Sequence, residues 1–114
     1  MILQLGSHID VARILAPAGD WGFSFMELAE KLNVTANHRE ALVTGEAGTV
    51  YLCHPFIVHA GQAHLGANPR FLARPPLYPS EPLRVSRADG KYSPVEVAIR
   101  RGTIHEHLIS VGES

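Results

Sequence analysis

Residues 54–70, HPFIVHAGQAHLGANPR, gather three imidazoles, His54, His59 and His64, and one guanidinium, Arg70, in a single short stretch. Neutral imidazole suits borderline metals such as iron and zinc, and the planar fork of an arginine matches a carboxylate bidentately. Metal and small-anion chemistry is what these side chains offer. In a strand, side chains alternate faces, so His54 and His59, five positions apart, point opposite ways unless Pro55 breaks the register. They do not suit one metal together. His59 and Arg70 do suit one small anionic ligand, because a hairpin closing through 60–69 sets the end of one strand beside the start of the next. Each alone has a plainer reading. A His in an apolar run is most often a hydrogen-bonded core or rim residue, and a single Arg a surface charge.

A second candidate lies near the start of the chain. His8-Ile9-Asp10 has the H-x-D spacing with which many iron sites begin, but Ser7 stands just before a helical pattern through Val11, Ile14 and Leu15. Asp10 follows Ser7 by three, the spacing of a capping box in which each residue's side chain accepts from the other's backbone N–H. The same device recurs at Ser24 and Glu27, opening Met26, Leu28, Ala29 and Leu32. It appears again at Ser93 and Glu96, where Pro94 takes the first helical position. The recurrence favours reading His8 and Asp10 as a helix start rather than a metal pair.

The elements that must position these groups are short. The pattern gives a strand at 1–5, a helical insert at 7–38, a β core at 39–76, a C-terminal helix at 93–102 and a tail at 103–114 that reads as loosely ordered. Within the insert, Ala16-Pro17-Ala18-Gly19-Asp20-Trp21-Gly22 is dense in helix breakers and predicts an exposed loop. Within the core, strands are expected near 41–44, 49–59 and 70–75, with Ile57 and other residues of His59's parity facing inward. Short strands with long loops predict a mainly β fold of the antiparallel sandwich or barrel kind. The run Met1-Ile2-Leu3-Gln4-Leu5 begins with nothing before it to pair against, as in a chain cut from a longer sheet.

Composition excludes several classes. At 114 residues with 46% hydrophobic and 18% charged side chains, one domain is the default. The net charge is −1 and the basic residues form no run, so neither a nucleic-acid surface nor an anionic-membrane surface is advertised. A small-molecule partner fits better. Cys53 stands alone, which rules out an internal disulfide and suits a reducing compartment. No apolar run approaches the ~20 residues of a membrane span and no leader pattern opens the chain, so a cytoplasmic protein is expected.

The stretch Glu46-Ala-Gly-Thr-Val-Tyr-Leu-Cys-His-Pro-Phe-Ile-Val-His59, with Arg70 eleven residues on and Phe-Leu-Ala-Arg-Pro-Pro-Leu after it, resembles the C-terminal half of the phytanoyl-CoA dioxygenase family. Gly6-Ser7-His8 likewise resembles that family's P-G-S/T-H strand end, with Leu5 in place of Pro. The resemblance implies a partial double-stranded β-helix, a cupin-like jelly roll with short flanking helices, and an iron(II) and 2-oxoglutarate-dependent dioxygenase. It implies His59 as the distal iron ligand and Arg70 as the anchor for the 2-oxoglutarate carboxylate. The family's H-x-D would precede Met1. A complete facial triad needs that motif, so the isolated chain is expected to be inactive and to need a missing N-terminal segment. The alternative is a non-catalytic jelly-roll remnant, an assembly module that forms a homodimer or pairs with another chain. Trp21 and Phe25 are the aromatic candidates for a substrate pocket.

Overall fold

The computed structural model describes residues 1–103. The chain runs through strand β1 (Ile2–Gln4), helix α1 (Ser7–Leu15), a 3-10 segment (Ala16–Trp21), helix α2 (Phe25–Glu30), a second 3-10 turn (Leu32–Thr35), strands β2 (Glu40–Leu42) and β3 (His59–Ala60), and helix α3 (Pro94–Thr103). The strands form one antiparallel sheet in the order β2-β1-β3. Leu3 sits opposite Ala41 on one side and His59 on the other.

The expected mainly β jelly roll is not what the chain forms: 34% of the described residues are helical and 8% are strand. The strands foreseen near 1–5 and 41–44 exist in shortened form. Those at 49–59 and 70–75 do not, apart from the two residues of β3. A strand needs a ladder partner as well as an alternating pattern, and among the described residues only His59 of these segments finds one, opposite Leu3 of β1. The apolar side chains of these segments are left outside, with Val50 88%, Leu52 85% and Phe71 95% exposed. No barrel interior exists for Ile57 to face, and that residue is half-buried in a turn. The radius of gyration, 16.7 Å, exceeds the roughly 13 Å of a compact chain of about 100 residues.

Helix α1 packs on α3 and β1 lies between β2 and β3; the buried apolar residues are Leu3 of β1, Val11 and Ala12 of α1, Ile99 of α3, and Val43 just after β2. Gly6 makes the turn from β1 into α1: its φ of 84° is the left-handed region that disfavours a side chain, and the His38 ring lies where a Cβ would point. The capping boxes at Ser24–Glu27 and Ser93–Glu96 form as their spacing predicts. The box at Ser7 does not. Gly6 is the N-cap, Ser7 is the first helical residue, and its fully buried hydroxyl accepts instead from the Val58 N–H at 2.8 Å. The segment 16–22 is a 3-10 turn broken at Gly19, and Trp21 stands 95% exposed on it. Helix α3 runs to Thr103, and the rest of the 103–114 tail lies outside the described residues. Among the described residues no helix is long and apolar enough to cross a membrane.

Candidate functional site

His59 is set by the sheet. It lies opposite Leu3 in β3, with Gln4 N–H donating to the Val58 carbonyl just before it. Its ring is exposed, and Nδ1 lies 3.0 Å from the Ile57 carbonyl oxygen. An acceptor at that nitrogen requires Nδ1 to carry the proton, which leaves the lone pair on Nε2 pointing outward.

Arg70 is placed from the other side of β1. Its Nη2 donates to the Val43 carbonyl at 3.4 Å, and the Val43 N–H in turn donates to the Met1 carbonyl. The guanidinium borders an open hollow of about 490 Å³ with Gln62, His64 and Leu65. The Met1 ammonium donates to Gln62 Oε1 at 3.2 Å, and desolvation followed by the Arg70 and Arg74 charges pushes that ammonium below its usual value. The Arg70 and Arg74 guanidiniums thus both lie near this corner, a setting that attracts a carboxylate. The two predicted residues are thus tied to opposite edges of β1, His59 through β3 opposite Leu3 and Arg70 through Val43, which is bonded to Met1.

His8 and Asp10 are drawn elsewhere. Asp10 binds the His38 imidazole through Oδ2 and Arg13 through Oδ1 at 3.4 Å. His8 packs its ring 5.0 Å from that of His54, and its buried Nδ1 has no hydrogen-bond partner among the described residues. Desolvation, then the neighbouring His54 and His38, push the His8 imidazole below its usual value. The Ser7–Asp10 capping box expected of this stretch does not form, Gly6 being the N-cap. Asp10 is occupied by His38, 28 residues away, and not by the Ser7 N–H.

The test of iron against these side chains is direct. A 2-His-1-carboxylate triad needs three protein donors converging on one point. Among the described residues no group of three or more His, Cys, Asp and Glu side chains is placed to hold a metal ion. These residues alone do not fit a complete iron site.

Two further groups escaped the sequence reading. Glu96, foreseen only as a cap partner, is a buried hub. It accepts from the Ser93 N–H at 2.8 Å, the Arg84 N–H at 2.6 Å and the Arg87 guanidinium at 2.9–3.1 Å. The Arg87 hydrogen bond, with the Ser93 N–H next, holds its carboxyl at about 2. His54 is the other: its Nδ1 accepts from the Phe56 N–H at 3.1 Å, and its Nε2 faces the Val95 carbonyl of α3 at 3.3 Å. Its five-residue distance from His59 signalled only that the two cannot share a metal. No family model matches the chain, and no curated protein or solved structure matches it either.

Proposed function

We propose that this chain contributes one imidazole and one guanidinium to the centre of an iron(II) and 2-oxoglutarate-dependent dioxygenase of the phytanoyl-CoA dioxygenase type, and that alone it is not a competent enzyme. The observation that carries this reading is the His59 ring. Histidines that bind metals through one nitrogen characteristically donate the other N–H to a carbonyl or carboxylate, which fixes the tautomer and aims the lone pair. His59 does this on Ile57, at an exposed position beside an open strand edge. Arg70 then serves the far carboxylate of 2-oxoglutarate, with the Arg74 guanidinium near the same corner. The remaining donors come from polypeptide outside these residues. The prime substrate is a small molecule, and the protein works in the cytoplasm, where a lone exposed Cys53 stays reduced.

A second reading is favoured by the exposed apolar side chains at 50–78: a non-catalytic assembly module whose surface is covered by another copy or another chain. One titration separates the two. Mn(II), as a stand-in for iron, is added to the isolated chain with 2-oxoglutarate while the ring protons of all seven histidines are followed by NMR. The dioxygenase reading expects weak binding that broadens His59 first, with 2-oxoglutarate affinity reduced by Arg70→Ala. Absence of broadening at His59 in a self-associated chain points to the module. A tight equivalent of metal lost on His8→Ala or Asp10→Ala refutes both, since the chain then carries a whole triad. The coding sequence upstream of Met1, read in frame for an H-x-D, is the companion observation.

A further inference from the structure

We infer that His54 is a positioning residue for His59: by holding the 54–57 turn from both its ring and its backbone, it decides which nitrogen of the His59 imidazole carries the proton. The functional meaning of this rests on reading His59 as a ligand, whereas the hydrogen bonds stand without it.

The chain of contacts has a fixed direction. The Phe56 N–H donates to His54 Nδ1, so the His54 proton must sit on Nε2, where it meets the Val95 carbonyl in α3. The Ile57 N–H donates to the His54 backbone carbonyl at 3.2 Å and closes the turn. Two consecutive amides, those of residues 56 and 57, are therefore tied to one residue, which is itself tied to a helix and packed against the His8 ring. On the far side of Ile57, the Val58 N–H is held by Ser7 and the Val58 carbonyl by Gln4. The Ile57 peptide group is thus clamped from both directions, and its carbonyl is the acceptor for His59 Nδ1–H. His54 and His59 hold opposite tautomers for this reason. An exposed imidazole left to itself favours the Nε2–H form, and a proton there blocks Nε2 as a ligand. Removing His54 orphans the Phe56 N–H, loosens the turn and returns His59 to that default.

The experiment reads the His59 ring nitrogens by long-range ¹H–¹⁵N correlation in the whole chain without metal, at about pH 8, where unperturbed imidazoles are neutral. In the parent protein His59 should show the Nδ1–H pattern and His54 the Nε2–H pattern. His54→Ala should lower the Nδ1–H to Nε2–H ratio at His59 severalfold, the size that one net hydrogen bond supports. His54→Asn, whose Oδ1 takes the place of Nδ1 as acceptor for Phe56, should restore it. Should His54→Ala unfold by circular dichroism, His54→Phe keeps the ring volume without the acceptor and carries the same expectation. A His59 pattern unchanged in these variants, or one that is Nε2–H in the parent, overturns the inference. The functional reading fails separately, through Mn(II) that leaves His59 unbroadened.

Discussion

The contact between α1 and α3 is close enough to be tested with one methyl group. A Cβ placed on Gly102 stands 2.6 Å from the Ile9 carbonyl oxygen, 3.1 Å from Ala12 Cβ and 3.3 Å from Ile9 Cγ2. The nearest of these is backbone in the first turn of α1, which cannot rotate away as a side-chain tip does, so the helices must separate. Overpacking of this kind costs about 1–3 kcal/mol. Alanine's better helix propensity returns up to about 1 kcal/mol, and less at the penultimate residue of the helix. The clash should win, leaving a net loss on the order of 1–2 kcal/mol. Separation also strains the Arg13 Nε–H bond to the Gly102 carbonyl, 3.2 Å long. At about 4–8 °C per kcal/mol for a domain of this size, Gly102→Ala should lower Tm by roughly 5–15 °C in thermal unfolding followed by circular dichroism. Gly61→Ala serves as control: a Cβ there meets nothing within 4 Å and its φ is not left-handed, so Tm should hold. A Gly102→Ala protein as stable as the parent refutes the helix packing described above.

The remaining predictions concern the buried polar groups. Glu96 titrates at about 2 when folded, below the ordinary 4.5, so the unfolded chain binds more protons between those values. Its contribution is present above the ordinary value and is lost as pH falls toward 2, and Glu96→Gln should flatten that acid limb in urea titrations. His8 has the same sign for a different cause. Its lowered folded value means that acid favours the unfolded chain, so stability should fall as pH drops below the ordinary 6.5, and His8→Gln should reduce the slope. Ser7→Ala removes the acceptor of the Val58 N–H, a loss of about 1–3 kcal/mol, and should speed hydrogen exchange at Val58. Slow exchange there in the variant means that Ser7 caps its own helix instead.

What the sequence disclosed were the devices whose partners lie three residues apart. Ser24 with Glu27, and Ser93 with Glu96, could be read because a capping box is complete within one helical turn. Ser7 shows the same spelling with a different outcome, because a tertiary donor, the Val58 N–H 51 residues away, takes its hydroxyl. The pairing of Asp10 with His38 and the convergence of Arg84 and Arg87 on Glu96 were illegible for the same reason: nothing local records which distant group arrives. The β segments failed in the opposite way. Alternation and β-branched residues at 49–59 describe a surface suited to a sheet, but they do not say which strand will lie alongside, and of that segment only His59 pairs, with Leu3. His59 and Arg70 were legible as types, while the tertiary bonds that tie them to opposite edges of β1 were not.

The bare apolar segments and the single aimed imidazole have one remedy between them. β3 is an outer strand of the sheet, so its free edge can accept a further strand through backbone hydrogen bonds. On the proposed reading a polypeptide added there runs beside His59, whose Nε2 could share a metal with its donors, and the exposed Val50, Leu52 and Phe71 offer it apolar surface to cover. Metal affinity and burial should therefore rise together. When a polypeptide carrying an H-x-D is mixed with this chain, amides of 50–60 should gain hydrogen-exchange protection in proportion to the metal bound, and His59→Ala should abolish the metal without abolishing the protection. Tight metal binding acquired with no protection across 50–60 would refute the coupling, since the donors would then have reached the ion without completing the sheet.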